Sequence, residues 1–197
     1  MIDRTRRVPR IGPPGDPDVF LSDEQGEHAV DGPVLRNLAL AVLADEGVGG
    51  DVELNLLFVD SDQIADLNRH FLGEPGPTDV LAFPIDEGEP LEPGRHPDGS
   101  TSGPQRENDD PEGIPLLLGD VVICPAVAAT SAPGHAGTLA DELALLVVHG
   151  TLHVLGHDHA ELSDRETMQR RERELLKRHH TFATPDGTPP STTWPLA

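Results

Sequence analysis

The alternation of apolar and polar positions divides the first half of the chain into short strands and helices. Glu53 to Val59 alternates and then becomes fully apolar, a pattern typical of a strand. Pro33 begins a segment whose apolar residues recur at helical spacing until about Gly47, and proline is favoured in the first turn of a helix. By the same reasoning, strands are predicted at 18–22, 78–84 and 116–123, the last interrupted at Gly119-Asp120, and short helices after Asp60 and from Cys124-Pro125.

Helices dominate the second half of the chain. Leu143 to Leu155 is apolar on most faces, which predicts a helix at the centre of the fold, and Thr138 is suited to cap its N-terminus. A last helix is predicted from Ser163 to about His180, because its acids come early and its bases late. Together these elements predict an α+β fold, with a mixed sheet of about four strands packed against about five helices.

Shifts in composition indicate one domain with appendages. The 20 glycines and 20 prolines of the 197 residues cluster rather than spread. Residues 86–112 hold nine acids and two arginines and almost no apolar side chain, so they cannot contribute to a core. We therefore predict a flexible basic arm at 1–16, a single domain at 17–180 with a disordered acidic insertion at 86–112, and a flexible tail at 181–197.

Charge and cysteine content restrict the class of protein. The 14 basic and 35 acidic side chains give a net charge of −21, which argues against an indiscriminate nucleic-acid binder but allows a local basic groove. Cys124 is the only cysteine, so a disulfide framework is excluded and a reducing compartment fits. No apolar stretch follows the arginines near the N-terminus. We expect a cytoplasmic protein without a signal peptide or membrane contact.

Four of the ten histidines fall within residues 149–159. His149 and His153 are four residues apart and therefore share one face of a helix. Gly156 lies where the helix would end in a left-handed residue, and the reversed chain can bring His159 back to the same point. Three neutral imidazoles with an open fourth position form a catalytic zinc site, so we expect one Zn²⁺ per chain. His157 is not predicted as a ligand, because its spacing does not direct it to the same point. The alternative to a metal site is a cluster of histidines that only form structural hydrogen bonds.

The histidine spacing matches that of the metzincin proteases except at one position. Where those enzymes carry the glutamate that serves as general base, this chain has Gly150. Since glycine cannot accept a proton from water, the motif indicates a metal hydrolase-like site more than a protease.

Three segments resemble the YbeY-type bacterial endoribonucleases. They are Leu67-Asn68 followed by Gly76 to Pro84, then Leu118 to Pro125, and then His149 to His159, in the order the family has them. The resemblance implies a zinc-dependent, single-strand-specific endoribonuclease that acts in late 16S ribosomal RNA maturation, on a precursor of the small ribosomal subunit. It implies His149, His153 and His159 as the zinc ligands, and no activity on DNA is expected.

One departure from the family concerns the substrate. Many members carry an arginine, thought to face the RNA, where this chain has Leu72. Arg69, one helical turn earlier, is the candidate substrate-binding residue in its place. The candidates for the catalytic base are Asp79, Asp120 and Asp158, with structural alternatives as a turn residue, a bulge residue and a partner that orients a ligand histidine.

Two other classes of function remain open from the sequence. A non-catalytic ribosome-assembly factor could keep the same zinc site for stability. A zinc metalloprotease is the second, although it would need glutamate at position 150 and a methionine turn beneath the metal. Met168, the only internal methionine, falls in the predicted last helix.

Overall fold

The computed structural model describes residues 15–85, 115–157 and 162–183. The predicted acidic insertion lies outside the described residues, as do most of the predicted arm and tail. The strands are β1 (Asp18–Asp23), β2 (Val52–Phe58), β3 (Val80–Pro84) and β4 (Leu116–Ile123). The helices are α1 (Gly32–Asp45), α2 (Ser61–Phe71), α3 (Pro125–Ser131), α4 (Leu139–Val154) and α5 (Leu162–His179), with a short 3₁₀ turn at Ala132–Gly134.

The four strands form one mixed sheet in the order β1-β2-β4-β3. β1, β2 and β4 run parallel, and β3 pairs with β4 in the antiparallel direction at the edge. This arrangement confirms the predicted α+β fold, with a four-stranded mixed sheet and five α-helices in the described part of the chain.

β4 runs from Leu116 to Ile123 as one strand, and the interruption predicted at Gly119-Asp120 takes the form of an irregularity in its pairing with β2. The register shifts between Glu53, which pairs with Leu117, and Leu54, which pairs with Gly119. Gly119 has a φ of +149°, and a Cβ atom there would lie 2.3 Å from the carbonyl oxygen of Phe83. The glycine therefore marks a close approach of the edge strand β3 and not a break in the strand.

The two faces of the sheet carry separate layers of helices. Leu56 and Val121 belong to the main core, to which α1, α4 and α5 also contribute. Their strand neighbours point to the opposite face, because successive strand side chains alternate. Val122 accordingly packs in a smaller cluster with Ile64 of α2. The site on α4 thus lies on one side of the sheet and α2 on the other.

α4 occupies the middle of the larger layer, as predicted. It contacts α1, α3, α5, β3 and β4. Every residue from Leu143 to Val148 is buried. Thr138 caps the helix by accepting a hydrogen bond from the Asp141 backbone N–H at 3.1 Å, as its sequence predicted. Within the described ranges, no helix is long and apolar enough to span a membrane.

Candidate metal centre

His149 and His153 lie side by side on α4. Their ring centroids are 4.5 Å apart, with an angle of 77° between the ring planes. Gly156 then adopts a φ of +89°, and its backbone N–H donates to the His153 carbonyl at 2.8 Å, so the chain reverses at the predicted residue. His159 and Asp158 lie outside the described residues. Among the described residues, no three His, Cys, Asp or Glu side chains form a group that could hold a metal.

Glu172 of α5 holds the first of the two histidines. Its Oε1 lies 2.6 Å from Nδ1 of His149, and its side chain is only 3% exposed. A ring nitrogen engaged in this way leaves the opposite nitrogen, Nε2, as the atom through which His149 can bind a metal. The sequence reasoning missed Glu172. The signal for it was a glutamate on the apolar stripe that Met168, Leu175 and Leu176 form along α5.

Gly150 lies where α4 touches the sheet. A Cβ atom at this position would lie 2.4 Å from Cγ1 of Val121 in β4, a distance that real Cβ atoms do not tolerate. The glycine is therefore required by packing. The geometry also excludes a glutamate at this position unless the helix moves away from the sheet.

His157 is engaged elsewhere. Its Nε2 lies 3.1 Å from Oε2 of Glu46, at the C-terminal end of α1, and the other oxygen of that carboxylate accepts from Nε of Arg171 at 2.6 Å. The bond with His157, with the contact to Arg171, holds the pKa of the Glu46 carboxyl below its ordinary value of 4.5 despite the opposing effect of burial. This contact ties the loop after α4 to α1 and α5, and it gives His157 a role other than metal binding.

Asp79 and Asp120 make their hydrogen bonds with groups other than the two histidines. Asp120 accepts a hydrogen bond from Nδ2 of Asn55 at 2.7 Å, on the sheet face away from α4. The Asp79 carbonyl accepts from the Cys124 backbone N–H at 2.9 Å, beyond the C-terminal end of β4. α4 ends instead over Gly119, in the other half of that strand. The contacts of the two aspartates do not connect them to either histidine, and their catalytic roles stay predictions.

Arg69 also lies on the far side of the sheet. It pairs with Asp66 on the exposed surface of α2 at 2.8 Å. It lines an open groove of about 880 Å³, whose apolar wall includes Leu57, Val59 and Val122. Leu72, at the family's arginine position, is 63% exposed at the end of α2. The substrate-binding role of Arg69 stays a prediction.

The residues present fit a metal. Two imidazoles on successive turns of a rigid, buried helix lie close enough to share one ion, and a buried carboxylate orients one of them. Imidazole nitrogens are ordinary ligands of Zn²⁺ and of several other transition metals. Two adjacent imidazoles with a buried carboxylate on one of them are typical of a metal site.

Comparison with known proteins identifies the family. The family model described as Endoribonuclease YbeY matches residues 21–180. Relatives named endoribonuclease YbeY include that of Mycolicibacterium vanbaalenii, 43% identical over 143 residues (73% of this chain, 70% of the relative), and that of Rhodococcus erythropolis, 42% identical over 159 residues (81% and 80%). The solution structure of TM1509 from Thermotoga maritima is 24% identical, with a TM-score of 0.46, over 81% of this chain and 90% of the other. The match of the family model over residues 21–180, together with relatives that are more than 40% identical, shows that the chain belongs to the endoribonuclease YbeY family.

Proposed function

We propose that this chain is a zinc-dependent endoribonuclease that cuts single-stranded RNA in the late maturation of 16S ribosomal RNA. One Zn²⁺ is held by His149, His153 and His159. The observation that carries the proposal is the pair of adjacent imidazoles on α4, with ring centroids 4.5 Å apart and one ring braced by Glu172. The endoribonuclease activity itself follows from membership of the family.

The packing around α4 holds His149 and His153, the two proposed ligands that the structure describes, in fixed positions. α4 is enclosed by three other helices and two strands, so the backbone that carries the two histidines cannot move freely. Gly156, with a φ of +89°, ends the helix three residues before His159, the proposed third ligand. Rigid elements hold a ligand set more accurately than loops do.

A metal in this position would supply charge neutralisation at a phosphoryl oxygen and would lower the pKa of a coordinated water. The protein's own part is to present the ligands and to exclude competing groups. Glu172 contacts the ring of His149, and Glu46 engages the ring of His157. Position 150 contributes packing alone, because the space where a base would lie is filled by Val121.

This arrangement favours RNA over peptides as the substrate. Hydrolysis of an amide needs a proton shuttle to the leaving amine, and Gly150 removes the residue that zinc peptidases use for it. RNA carries its own nucleophile in the 2′-hydroxyl and has a less demanding leaving group. A site that only stabilises charge on the phosphorane can therefore be sufficient for RNA cleavage.

The experiment that tests the proposal is cleavage of a labelled single-stranded RNA by zinc-reconstituted protein. We expect cleavage by the wild type, loss of activity in His153→Ala, and retained activity in His157→Ala, a matched control from the same histidine cluster. Activity that survives in His153→Ala would overturn the metal-dependent mechanism. Protein that binds zinc and never cuts RNA would support the non-catalytic assembly factor instead.

A further inference from the structure

The described chain buries two glutamates that each hold a histidine ring. Glu142 of α4 lies 3.1 Å from Nδ1 of His135 and also accepts from the Ala136 backbone N–H at 3.1 Å. Glu172 of α5 has one polar partner among the described residues, Nδ1 of His149 at 2.6 Å. The two pairs share their chemistry, but only the second includes a proposed metal ligand.

We infer that Glu172 is a positioning residue that selects the metal-binding nitrogen of His149. The inference rests on the proposed metal site. If the Glu172 oxygen accepts from the ring in this 2.6 Å contact, the ring proton lies on Nδ1 of His149. The lone pair of Nε2 is then available for the ion, and the ring is held in one orientation.

The position of Glu172 on its helix supports this role. Its neighbours on the same stripe are Met168, Leu175 and Leu176, all buried and apolar. When His149 is neutral, as a metal ligand must be, a buried carboxylate with this single partner is poorly compensated, and an apolar side chain of similar size is often as stable or more stable at such a site. The charge is compensated once a dication binds on the other side of the imidazole, because the ion is then the largest local charge. The glutamate is thus better explained by metal binding than by packing.

The direct test is the zinc affinity of matched variants, measured by competition with a chromophoric chelator. We expect Glu172→Gln to weaken zinc binding by about tenfold and Glu172→Leu by up to about a hundredfold, the range found when a partner of a ligand histidine is removed. Glu142→Gln, which changes the other buried Glu–His pair, should bind zinc within about twofold of the wild type. Thermal unfolding of the metal-free proteins separates weaker zinc binding from general destabilisation. If Glu172 had only a structural role, its variants would have lower melting temperatures but would not show the graded loss of zinc affinity.

A second measurement reads the contact without metal. In the metal-free wild type, long-range ¹H–¹⁵N correlation spectra should show His149 protonated at Nδ1, and Glu172→Leu should shift the ring towards a mixture of the two tautomers. Unchanged zinc affinity in both Glu172 variants would overturn the inference and leave the proposed function intact. Wild-type protein that binds no zinc would overturn both. A wild-type His149 protonated at Nε2 would overturn the role of Glu172 alone.

Discussion

The Cβ position of Gly150 lies 2.4 Å from Cγ1 of Val121, so α4 rests directly on β4 at the turn that carries His149. This contact links packing to chemistry. The helix can lie this close to the sheet only because residue 150 has no side chain, and that same absence removes the base that a zinc peptidase would carry. A change to a protease-like motif would therefore disturb the core before it altered the reaction.

The contact predicts opposite effects of one substitution in two backgrounds. Alanine at position 150 should lower the free energy of unfolding of the wild type by about 1–2 kcal/mol, because the overpacking against Val121 exceeds the gain in helix propensity. In the Val121→Ala background, the same methyl group enters the space that was vacated, so Gly150→Ala should be neutral or stabilising. Urea denaturation of the four proteins measures the cycle. Equal effects in both backgrounds would show that the two residues are not in contact.

The metal prediction distinguishes two neighbouring histidines. Elemental analysis should find one equivalent of zinc in the wild type and in His157→Ala, and clear loss in His149→Ala and in His159→Ala. The reason for the difference is that His157 is engaged with Glu46 at 3.1 Å. The reverse result, with zinc lost in His157→Ala and kept in His159→Ala, would show that the proposed ligand set is wrong.

The sequence was sufficient to predict the fold class and the position of the histidine pair, because both depend on local periodicity. Helical spacing placed His149 and His153 on one face, and Gly156 ends the helix as expected. The order of the strands and the layer occupied by each helix depend on contacts between distant segments, and these leave little trace in a local pattern.

The sequence did not reveal the partners of the histidines for the same reason. Glu172 is 23 residues from His149 along the chain, and Glu46 is 111 residues from His157. Arg69 could be placed on a helix but not on a side of the sheet, and the structure puts it in the α2 layer, away from α4. Contacts between residues of different layers can be identified only from the tertiary structure.

Glu46 makes the stability depend on acid pH. Its folded-state pKa lies below the ordinary value of 4.5, so its stabilising effect is complete above that value and is lost as the pH falls through it towards the folded-state pKa. Glu46→Gln should cost about 1–2 kcal/mol at neutral pH, and the unfolding free energies of variant and wild type should converge in acid.

Urea denaturation of the metal-free proteins between about pH 7 and pH 3 measures this convergence, since bound metal would add its own pH dependence. Glu174→Gln is the control, because Glu174 contacts the same Arg171 from a side chain that is 52% exposed. Its difference from the wild type should stay small at every pH. A constant difference between Glu46→Gln and the wild type would refute the linkage.

Asp141 should be the strongest polar anchor of the C-terminal helix. Its side chain is almost fully buried, lies 2.8 Å from Nε2 of His180, and accepts from Thr138 Oγ1 at 2.7 Å. Asp141→Ala leaves these groups without their partner and should cost about 2–4 kcal/mol of unfolding free energy. Asp45→Ala removes more exposed contacts at the same end of α5 and should cost at most about 1 kcal/mol. If chemical denaturation shows that Asp141→Ala and Asp45→Ala lower the free energy of unfolding equally, burial does not determine the strength of these contacts.

The last prediction concerns which polymer is cut. We expect the zinc-loaded protein to cleave single-stranded RNA and to leave unfolded casein intact, because Gly150 cannot shuttle a proton to an amine leaving group. If the 2′-hydroxyl is the nucleophile, single-stranded DNA of the same sequence should also stay intact. A net charge of −21 confines RNA binding to a local groove, so the logarithm of affinity should fall with salt at a slope set by about two or three phosphate contacts. Proteolysis that disappears in His153→Ala would refute this assignment of substrate, whereas equal cleavage of DNA and RNA would retain the nuclease and exclude only the 2′-hydroxyl as nucleophile.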